Sequence, residues 1–530
     1  MNKNKFIIGL ILATFSFTLS SCLDETEPMG STITSEQKAK VPEAVLATAV
    51  GMDAWMNNYN TLNRSEPFHF DFGYPALMIQ RDLMGQDLVY NPKYDNWGVW
   101  YGDFPYLGPD YIASQFPWRW YYKWMFNANE LITLVPDPDS AEPKIVAALG
   151  KAYFYRAFAY FDLARLYLKG TYLKNPQGLT VPRVTEEAVD AANNPRVPAS
   201  ELYPMILEDL DKAAIYLADD AAIDKNNPSL YTVYGLYARV YLEIGEWDKA
   251  EEYAKKAQAG FSPLTKEQWL DRKNGFNTPE GNNSWIWCTS TSKENGVVKS
   301  GIINWTALMA SEQNYGYNGP GGGYSGVFID RHLFDLIPET DFRKKSFKGP
   351  GVAAADLESD FPAAAAMPNY SSFKFRPSKG EADDHLEASA SSVPLMRVEE
   401  MMLIEAEAAV RQDAGRGKTL LVNFVKNHRD PSYSTNATTE DMLITEIWTQ
   451  RRIELWGEGF ATFDIKRLDK GITRSYTGTN HPTGMRFNTT SSPGWMDYCI
   501  VRTEFNNNFS IDPDENNPAP GTPADSDPAW

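Results

Sequence analysis

Cysteine and histidine are scarce in this sequence, and their spacing gives no support to metal or redox sites. The 530 residues include three cysteines, Cys22, Cys288 and Cys499, and five histidines. No cysteines form a CxxC pair and no histidines form an HExxH motif, so zinc, thioredoxin-like and zincin sites are not indicated. We expect Cys288 and Cys499 to be buried free thiols, with a disulfide between them as an open alternative. The sequence predicts no cofactor and no metal site.

Motifs of nucleophilic catalysis are also missing, since the sequence contains no GxSxG nucleophile elbow. A glycoside hydrolase needs only two carboxylates across a cleft. The count of 69 Asp and Glu residues leaves room for such a pair, but no motif marks one. We therefore predict that the protein is not an enzyme, and a secreted glycan hydrolase is the less favoured alternative.

Positive charge is in short supply. Lysine and arginine number 50 against 69 acidic residues, which makes the formal net charge −19 at pH 7. An acidic surface repels the phosphates of nucleic acids and of anionic lipid headgroups. We therefore exclude nucleic acid as a partner and expect a protein body that is exposed to solvent.

A sustained apolar run occurs only at the start of the chain. Lys3 and Lys5 precede an apolar stretch over 6–19, which is shorter than the about 20 residues of a membrane-spanning helix. Basic residues followed by a short apolar run are typical of a secretory signal peptide. We assign the signal peptide to residues 1–21.

The end of this segment predicts a lipid anchor. Leu19-Ser20-Ser21-Cys22 has the lipobox pattern of bacterial lipoproteins, a Leu and two small residues before a Cys. We expect cleavage before Cys22 and attachment of a diacylglycerol to its thiol, since several buried acyl chains hold a protein firmly at a membrane. Residues 22–30 form an acidic tether.

Helical periodicity alternates with stretches of loop composition along the rest of the chain. Predicted helices cover 41–58, 118–134, 144–168, 200–217, 395–411 and 418–428, with further helix within 439–468. Loop composition, rich in Gly, Pro and Asn, covers 67–117 and 259–392. We therefore divide the chain into an N-terminal half over 31–260, a loop-rich insertion over 261–392 and a C-terminal helical region over 393–530.

One segment has the spacing of a tetratricopeptide repeat (TPR), a pair of antiparallel helices. Its small and aromatic positions are Tyr234, Tyr237, Ala238, Tyr241, Gly245, Ala250, Ala254 and Ala257. Because one pair cannot bury its apolar face alone, neighbouring helices must cover it. The predicted fold class is mainly α, a scaffold of TPR-like helical pairs with long loop-rich insertions and a few short β-strands. A TPR interaction protein without a small ligand is one possible function.

Four motifs, spread over most of the chain, resemble those of the SusD/RagB family. Three of them lie in the segments 151–167, 197–214 and 393–408. The most specific motif runs from Arg451 to Arg467 and includes Glu454, Gly457, Glu458, Gly459 and Asp464. Gln450 departs from the pattern, because the family commonly has Glu at this position.

The resemblance implies a SusD-like fold and a place at the cell outer membrane, anchored through Cys22 and facing the outside. It also implies that the protein binds an oligosaccharide or polysaccharide and delivers it to a SusC-like TonB-dependent transporter. RagB-like members bind peptides, which is the alternative ligand class.

Ligand sites in this family lie on loops outside the shared motifs, so candidate residues must be chosen by composition. Aromatic residues make up 13% of the chain, and flat rings can stack on the apolar faces of sugars while amides and carboxylates bond to hydroxyl groups. Two loops combine these residue types. The predicted ligand-binding residues are Asp95, Asn96, Trp97, Trp100 and Tyr101 in the first loop, and Trp305, Tyr315, Tyr317, Asn318 and Tyr324 in the second.

Two sets of charged residues invite a functional interpretation, but we predict structural roles for both. The first set is Arg451, Arg452, Glu454, Glu458, Asp464 and Arg467, whose opposite charges predict a network of ion pairs. The second is Arg156, which lies off the polar stripe of an otherwise apolar helix and must find a buried partner. The acidic stretch 383–387 is expected to be a solvated loop.

Overall fold

The protein is mainly helical in the computed structural model, which describes residues 38–91, 96–188, 190, 192–218 and 224–523. The helices are α1 Pro42–Trp55, α2 Tyr74–Leu83, α3 Gly98–Tyr101, α4 Ile112–Leu134, α5 Pro143–Tyr167, α6 Ala199–Tyr216, α7 Leu230–Ile244, α8 Trp247–Gln258, α9 Lys266–Leu270, α10 Gly296–Lys299, α11 Trp305–Met309, α12 Arg331–Leu336, α13 His385–Ala388, α14 Val398–Gln412, α15 Ala414–His428, α16 Glu440–Glu454, α17 Ala461–Leu468 and α18 Arg502–Asn507. The predicted fold class is confirmed.

Short strands pair two by two and join distant parts of the chain. They are β1 Leu88–Tyr90, β2 Leu179–Pro182, β3 Arg196–Pro198, β4 Trp285–Ser290, β5 Val327–Ile329 and β6 Ser392–Arg397. The antiparallel pairs are β1 with β5, β2 with β3 and β4 with β6. The first and last pairs connect the loop-rich part of the chain to its two helical parts.

Helices α7 and α8 form the predicted TPR-like pair. Ser229 and Thr232 form a capping box at the start of α7, and Gly245 follows its end with a φ of 82°, which glycine adopts without strain. Ala238 and Ala250 are completely buried, so the helices approach closely at these small side chains. α8 also packs against α14 and α7 against α6, as a single pair requires.

Helix α5 lies between α4 and α6 and carries the predicted buried arginine. The Arg156 guanidinium donates from Nε and Nη2 to the two carboxylate oxygens of Asp209, at 2.8 Å each. Its Nη1 donates to Asn129 Oδ1 at 2.9 Å. The buried ion pair is confirmed, and it ties α5 to α6 and α4.

A buried cluster of charges surrounds the end of α16. Glu454 accepts hydrogen bonds from Arg429 Nε at 2.8 Å, Arg343 Nη1 at 3.0 Å and Arg397 Nη1 at 3.1 Å. Burial alone would raise the pKa of Glu454, but the neighbouring guanidiniums, led by Arg429, hold it well below its ordinary value. The carboxylate is therefore the charged centre on which three arginines converge.

The other charged residues of the last motif are also paired with one another or with the core. Glu458 accepts from Lys374 Nζ at 2.7 Å, and Asp464 accepts from Arg451 Nε at 2.7 Å and from Arg467 Nε at 2.9 Å. The remaining member, Arg452, donates from Nε to an Asp87 oxygen at 2.8 Å. The predicted structural network is confirmed, and through Lys374 it fixes the loop-rich insertion to the C-terminal helices.

Two predictions made from loop composition are wrong. Helix α2 lies inside the stretch 67–117, with Pro75 in its first turn, where proline is tolerated. Helix α4 begins at Ile112, before the predicted start at 118, and continues through Pro117. Every residue of α2 is buried, so tertiary packing outweighed local composition in this part of the chain.

Two further observations concern cysteine and the membrane. Cys288 and Cys499 are both buried and free, which confirms the predicted thiols. Throughout the described ranges, each helix falls short of the length or the apolar character that a membrane span needs.

Candidate functional site

The strand pair β1–β5 brings the two predicted aromatic loops to the same edge. The strands are antiparallel, with Tyr90 opposite Val327. The loop that holds Asn96 follows β1, and the glycine-rich loop that holds Tyr315 precedes β5. Because the end of one strand lies beside the start of its antiparallel partner, both loops leave the pair together. A pair of three-residue strands therefore brings the two candidate loops together, which the sequence alone did not predict.

A cleft of about 610 Å³ opens beside these loops. Small-ligand sites commonly have volumes of about 300–1,000 Å³, so this cleft, called the loop cleft below, can hold several sugar rings. Its lining residues are His69, Asn96, Ile302, Asn314, Tyr315, Gly316, Tyr317, Gly321 and Gly322.

Asn96 and Tyr317 connect the two loops directly. The Asn96 side-chain amide donates to the Tyr317 hydroxyl at 2.9 Å, and the His69 ring stands edge-on to the Tyr317 ring with centroids 5.5 Å apart. Burial lowers the pKa of His69, so this imidazole is neutral at pH 7. Tyr317 is only 4% exposed and contributes a wall rather than an open platform.

The glycine-rich loop, residues 313–326, is wound tightly on itself. Gln313 starts the winding, because its side-chain amide donates to the carbonyl oxygens of Thr306 and Ala310 at 2.9 and 2.7 Å. A Cβ added at Gly322 would lie 2.1 Å from the carbonyl oxygen of Gly316, so only glycine fits there. The loop is therefore a rigid presenting surface for Tyr315 rather than a loose connection.

Tyr315 is the half-buried aromatic ring of the loop cleft. Its hydroxyl lies 3.4 Å from Ser389 Oγ, and the His385 ring stands edge-on to it with centroids 6.0 Å apart. Burial raises the pKa of Tyr315, and the carboxylates of Glu381 and Asp384 raise it further. Tyr315 is therefore a neutral ring held from behind, with an accessible part that faces the cleft.

Three rings of the first predicted loop lie in the core. Trp97, Trp100 and Tyr101 are at most 1% exposed, and the rings of Trp97 and Trp100 pack on Phe70. A ring without an exposed face cannot stack on a sugar, so these three predicted contacts are corrected to packing residues. Composition alone did not distinguish them, because a core helix turn and a binding loop use the same aromatic residues.

Three residues predicted for the second loop also have structural roles. Trp305 is 6% exposed and stands edge-on to Phe375 at 5.1 Å. Asn318 is completely buried and donates to Ser311 Oγ at 2.7 Å. Tyr324 is half-buried against a separate apolar cluster that includes Phe361, Met367 and Phe373, outside the cleft lining. Trp305 and Asn318 are therefore corrected to packing residues, whereas the ligand contact of Tyr324 stays a prediction.

The structure adds three cleft residues that composition did not indicate, His69, Ile302 and Asn314. Ile302 is 40% exposed and supplies an apolar side chain to the cleft. The Asn314 side chain donates to Asp383. A Gly-Ile-Ile-Asn sequence gives no signal of ligand binding, since only tertiary proximity makes it part of the site.

Two predicted functional residues, Asp95 and Cys22, lie outside the described residues. Their predicted roles, a hydrogen bond to ligand and the lipid anchor, therefore stay predictions.

Two models of known protein families match separate regions of this chain. A family model described as starch-binding associating with outer membrane matches residues 79–242. A second model, the SusD family, matches residues 354–513. Of the described cleft lining, only Asn96 falls within a matched region.

Similar proteins support the same assignment. A SusD-like protein of Formosa agariphila is 25% identical over 515 residues, which cover 89% of this chain and 92% of that protein. A SusD-like carbohydrate binding protein from Bacteroides vulgatus has a TM-score of 0.70 at 23% identity, covering 88% of this chain and 97% of that one. Surface glycan-binding protein A from Bacteroides thetaiotaomicron, solved with laminarihexaose, has a TM-score of 0.62 at 16% identity, with coverages of 88% and 97%. The chain belongs to the SusD/RagB family.

Proposed function

We propose that this protein binds oligosaccharide segments in the loop cleft and does not cleave them. The observation that carries the proposal is the Asn96–Tyr317 hydrogen bond, which unites two distant loops around a cleft with an aromatic ring, amides and an exposed Ile302. Sugars present apolar faces and hydroxyl groups, which match rings and amides respectively. The laminarihexaose bound by the Bacteroides thetaiotaomicron protein supports a glycan as the ligand class.

The absence of catalysis forms part of the proposal. Hydrolysis of a glycosidic bond needs two carboxylates that flank it, whereas the described lining of the loop cleft contains no Asp or Glu. This lining supports the proposal of binding without turnover.

We further propose that the protein delivers its ligand to a SusC-like TonB-dependent transporter at the outer membrane. A diacylglycerol on Cys22 would hold the protein there, on the outer face. Support comes from the lipobox and acidic tether in the sequence and from the outer-membrane association in the description of the first family model.

The binding proposal is tested with the soluble chain from residue 23 on an array of polysaccharides, oligosaccharides and peptides, followed by calorimetry. We expect binding to one glycan class. Tyr315→Ala should weaken it about tenfold, because ring contacts contribute about 1 kcal/mol or more, whereas Tyr315→Phe should retain most of it. Tyr106→Ala, which removes a ring that is 52% exposed elsewhere, is the matched control.

Three outcomes would contradict this proposal. Peptide binding without glycan binding would favour a RagB-like function. Products released from a bound glycan would indicate a hydrolase. Equal losses in Tyr315→Ala and Tyr106→Ala would place the site elsewhere.

The anchoring proposal is tested in cells with Cys22→Ser. We expect the wild-type protein in the outer-membrane fraction, accessible to added protease and recovered with the transporter after cross-linking. The variant should lose membrane attachment. A variant that stays in the membrane fraction would contradict the anchor, and a wild-type protein recovered without any transporter would contradict the partnership.

A further inference from the structure

The described lining of the loop cleft contains no formally charged side chain. Its side chains are amides, phenols, an isoleucine and the His69 imidazole, and the rest is glycine backbone. His69 is neutral at pH 7 because burial lowers its pKa. A sulfate or carboxylate that entered the cleft would therefore find no cation among the described lining residues to replace its hydration.

An acidic segment, residues 381–387, forms one border of the cleft. The Asn314 backbone N–H donates to the Ala382 carbonyl oxygen at 2.7 Å, and its side chain donates to Asp383. His385 of the same segment contacts the Tyr315 ring. The segment therefore touches two of the three lining residues with side chains in the glycine-rich loop.

The carboxylates of this segment carry charge that is largely uncompensated. Glu381 accepts from the backbone N–H groups of Asp383 and Asp384 at 2.8 and 3.1 Å, which lowers its pKa. Glu387 pairs with Lys293. In the described part of the chain, no salt bridge joins Glu381, Asp383 or Asp384 to a cation. The charges of Glu381 and Asp384 reach the cleft, since both raise the pKa of Tyr315.

We propose that the loop cleft selects uncharged oligosaccharides and rejects glycans that carry sulfate or uronate groups, with Glu381 and Asp384 as specificity-determining residues. The inference rests on the proposed function and names its substrate class. A neutral sugar meets rings and amides and loses nothing to the acidic border. An anionic sugar loses hydration in a cleft whose described lining holds no cation, and it is repelled by two carboxylates.

The same electrostatics disfavour peptides that bind through a free C-terminus. A terminal carboxylate needs a cation or a cluster of backbone N–H donors, and no Lys or Arg lines the described cleft. The acidic border thus disfavours peptides that are held by a terminal carboxylate.

The experiment uses the tightest-binding oligosaccharide from the array in three forms. These are the parent, the derivative oxidised at its primary hydroxyls to uronates, and the methyl ester of that derivative, which restores neutrality on the same skeleton. We expect the uronate form to bind at least about tenfold more weakly than the parent, since like charges repel across a few ångströms. The ester should recover most of the affinity.

The role of the acidic border is tested with Glu381→Gln/Asp384→Asn, which keeps the hydrogen-bond acceptors and removes two charges. We expect this variant to bind the parent as the wild type does. Its discrimination against the uronate form should be weaker than that of the wild type by about threefold or more. Added salt should reduce the discrimination of the wild type but not of the variant. Asp137→Asn/Asp139→Asn, on an exposed turn, changes net charge equally and should change nothing.

The possible results separate the two proposals. If the array ligand is anionic and its binding is lost in Tyr315→Ala, or if the uronate form binds as tightly as the parent, the inference is overturned while glycan binding stands. If discrimination persists unchanged in the Glu381/Asp384 variant, the assignment of these two residues is overturned. If no glycan binds at all, the proposed function fails and the inference with it.

Discussion

At the scale of single residues, the loop cleft depends on side chains that do two things at once. Asn96 lines the cleft and also bonds to Tyr317, and Tyr315 presents a ring while Ser389 and His385 support it from behind. Such residues bind best when their own partners hold them in place, because a preorganised group loses little conformational entropy on binding.

Asn96→Ala should weaken glycan binding more than it weakens the fold. The change removes one hydrogen bond between the two loops, which contributes about 1 kcal/mol, or roughly fivefold in affinity. Calorimetry measures the affinity and urea denaturation the free energy of unfolding. Asn58→Ala, which removes an Asn58–Thr61 side-chain bond of 3.0 Å elsewhere, should cost similar stability and no affinity. Equal affinities in both variants would contradict the role of Asn96.

Binding should not change between pH 7 and pH 9. Burial lowers the pKa of His69 and raises the pKa of Tyr315, so the imidazole stays neutral and the phenol stays protonated across this window. The bordering Glu381, with its lowered pKa, stays charged. An affinity that varied severalfold over this range in calorimetry would show that a titrating group contacts the ligand.

At the scale of elements, the last motif is a joint between segments and not a reactive site. The carboxylate of Glu454, at the end of α16, receives arginines from three places: the loop-rich insertion, β6 and the end of α15. Buried ion pairs add little net stability when they are complete, but their disruption leaves uncompensated charge. This asymmetry explains how a charge-dense motif can be structural.

Glu454→Gln should destabilise the protein by about 3–5 kcal/mol, because three buried guanidiniums then lose their shared carboxylate. Glu440→Gln at the other end of α16 is the matched control. Glu440 pairs with Arg411 and its side chain is 48% exposed, so its loss should cost less than about 1 kcal/mol. Chemical denaturation followed by circular dichroism measures both. Similar losses of stability in the two variants would mean that the charge cluster around Glu454 does not hold these segments together.

At the scale of the whole molecule, the site is assembled from distant parts of one continuous scaffold. The cleft residues come from 69, 96, 302 and 314–322, while the matched family regions 79–242 and 354–513 supply most of the helices. Strand pairs and the buried charge cluster connect these parts. The assignment of 261–392 as a separate insertion therefore stays a prediction. The described residues of this segment pack against the helical scaffold.

The whole molecule should lose stability steeply below about pH 4. Burial opposes the charged forms of Glu454, Asp464 and Asp162, yet neighbouring arginines lower their pKa values. Each contributes stability above the ordinary carboxyl pKa of about 4, and this stability is lost as protonation proceeds at lower pH. Burial raises the pKa of Asp82 to about 7, so that group favours folding as the pH falls from 7.

Denaturation series from pH 7 to pH 3 measure this balance. We expect the free energy of unfolding to rise from pH 7 to about pH 5, as Asp82 takes up a proton, and to fall steeply below about pH 4. Asp82→Asn should remove only the contribution that acts above pH 4. A free energy that stayed constant to pH 3 would contradict the role of the depressed carboxyls.

The sequence by itself determined the mainly α class, the TPR-like pair, the buried Arg156 and the structural network at 451–467, because periodicity, small residues and unpaired charge act locally. It also pointed to both loops and to Asn96, Tyr315 and Tyr317. Only the tertiary structure decided which rings face the cleft and which fill the core. Trp97 and Tyr315 have the same stacking chemistry, and burial by residues far away in the chain, absent from any local pattern, separates them. For the same reason Ile302 and the acidic border became part of the site only through their tertiary neighbours.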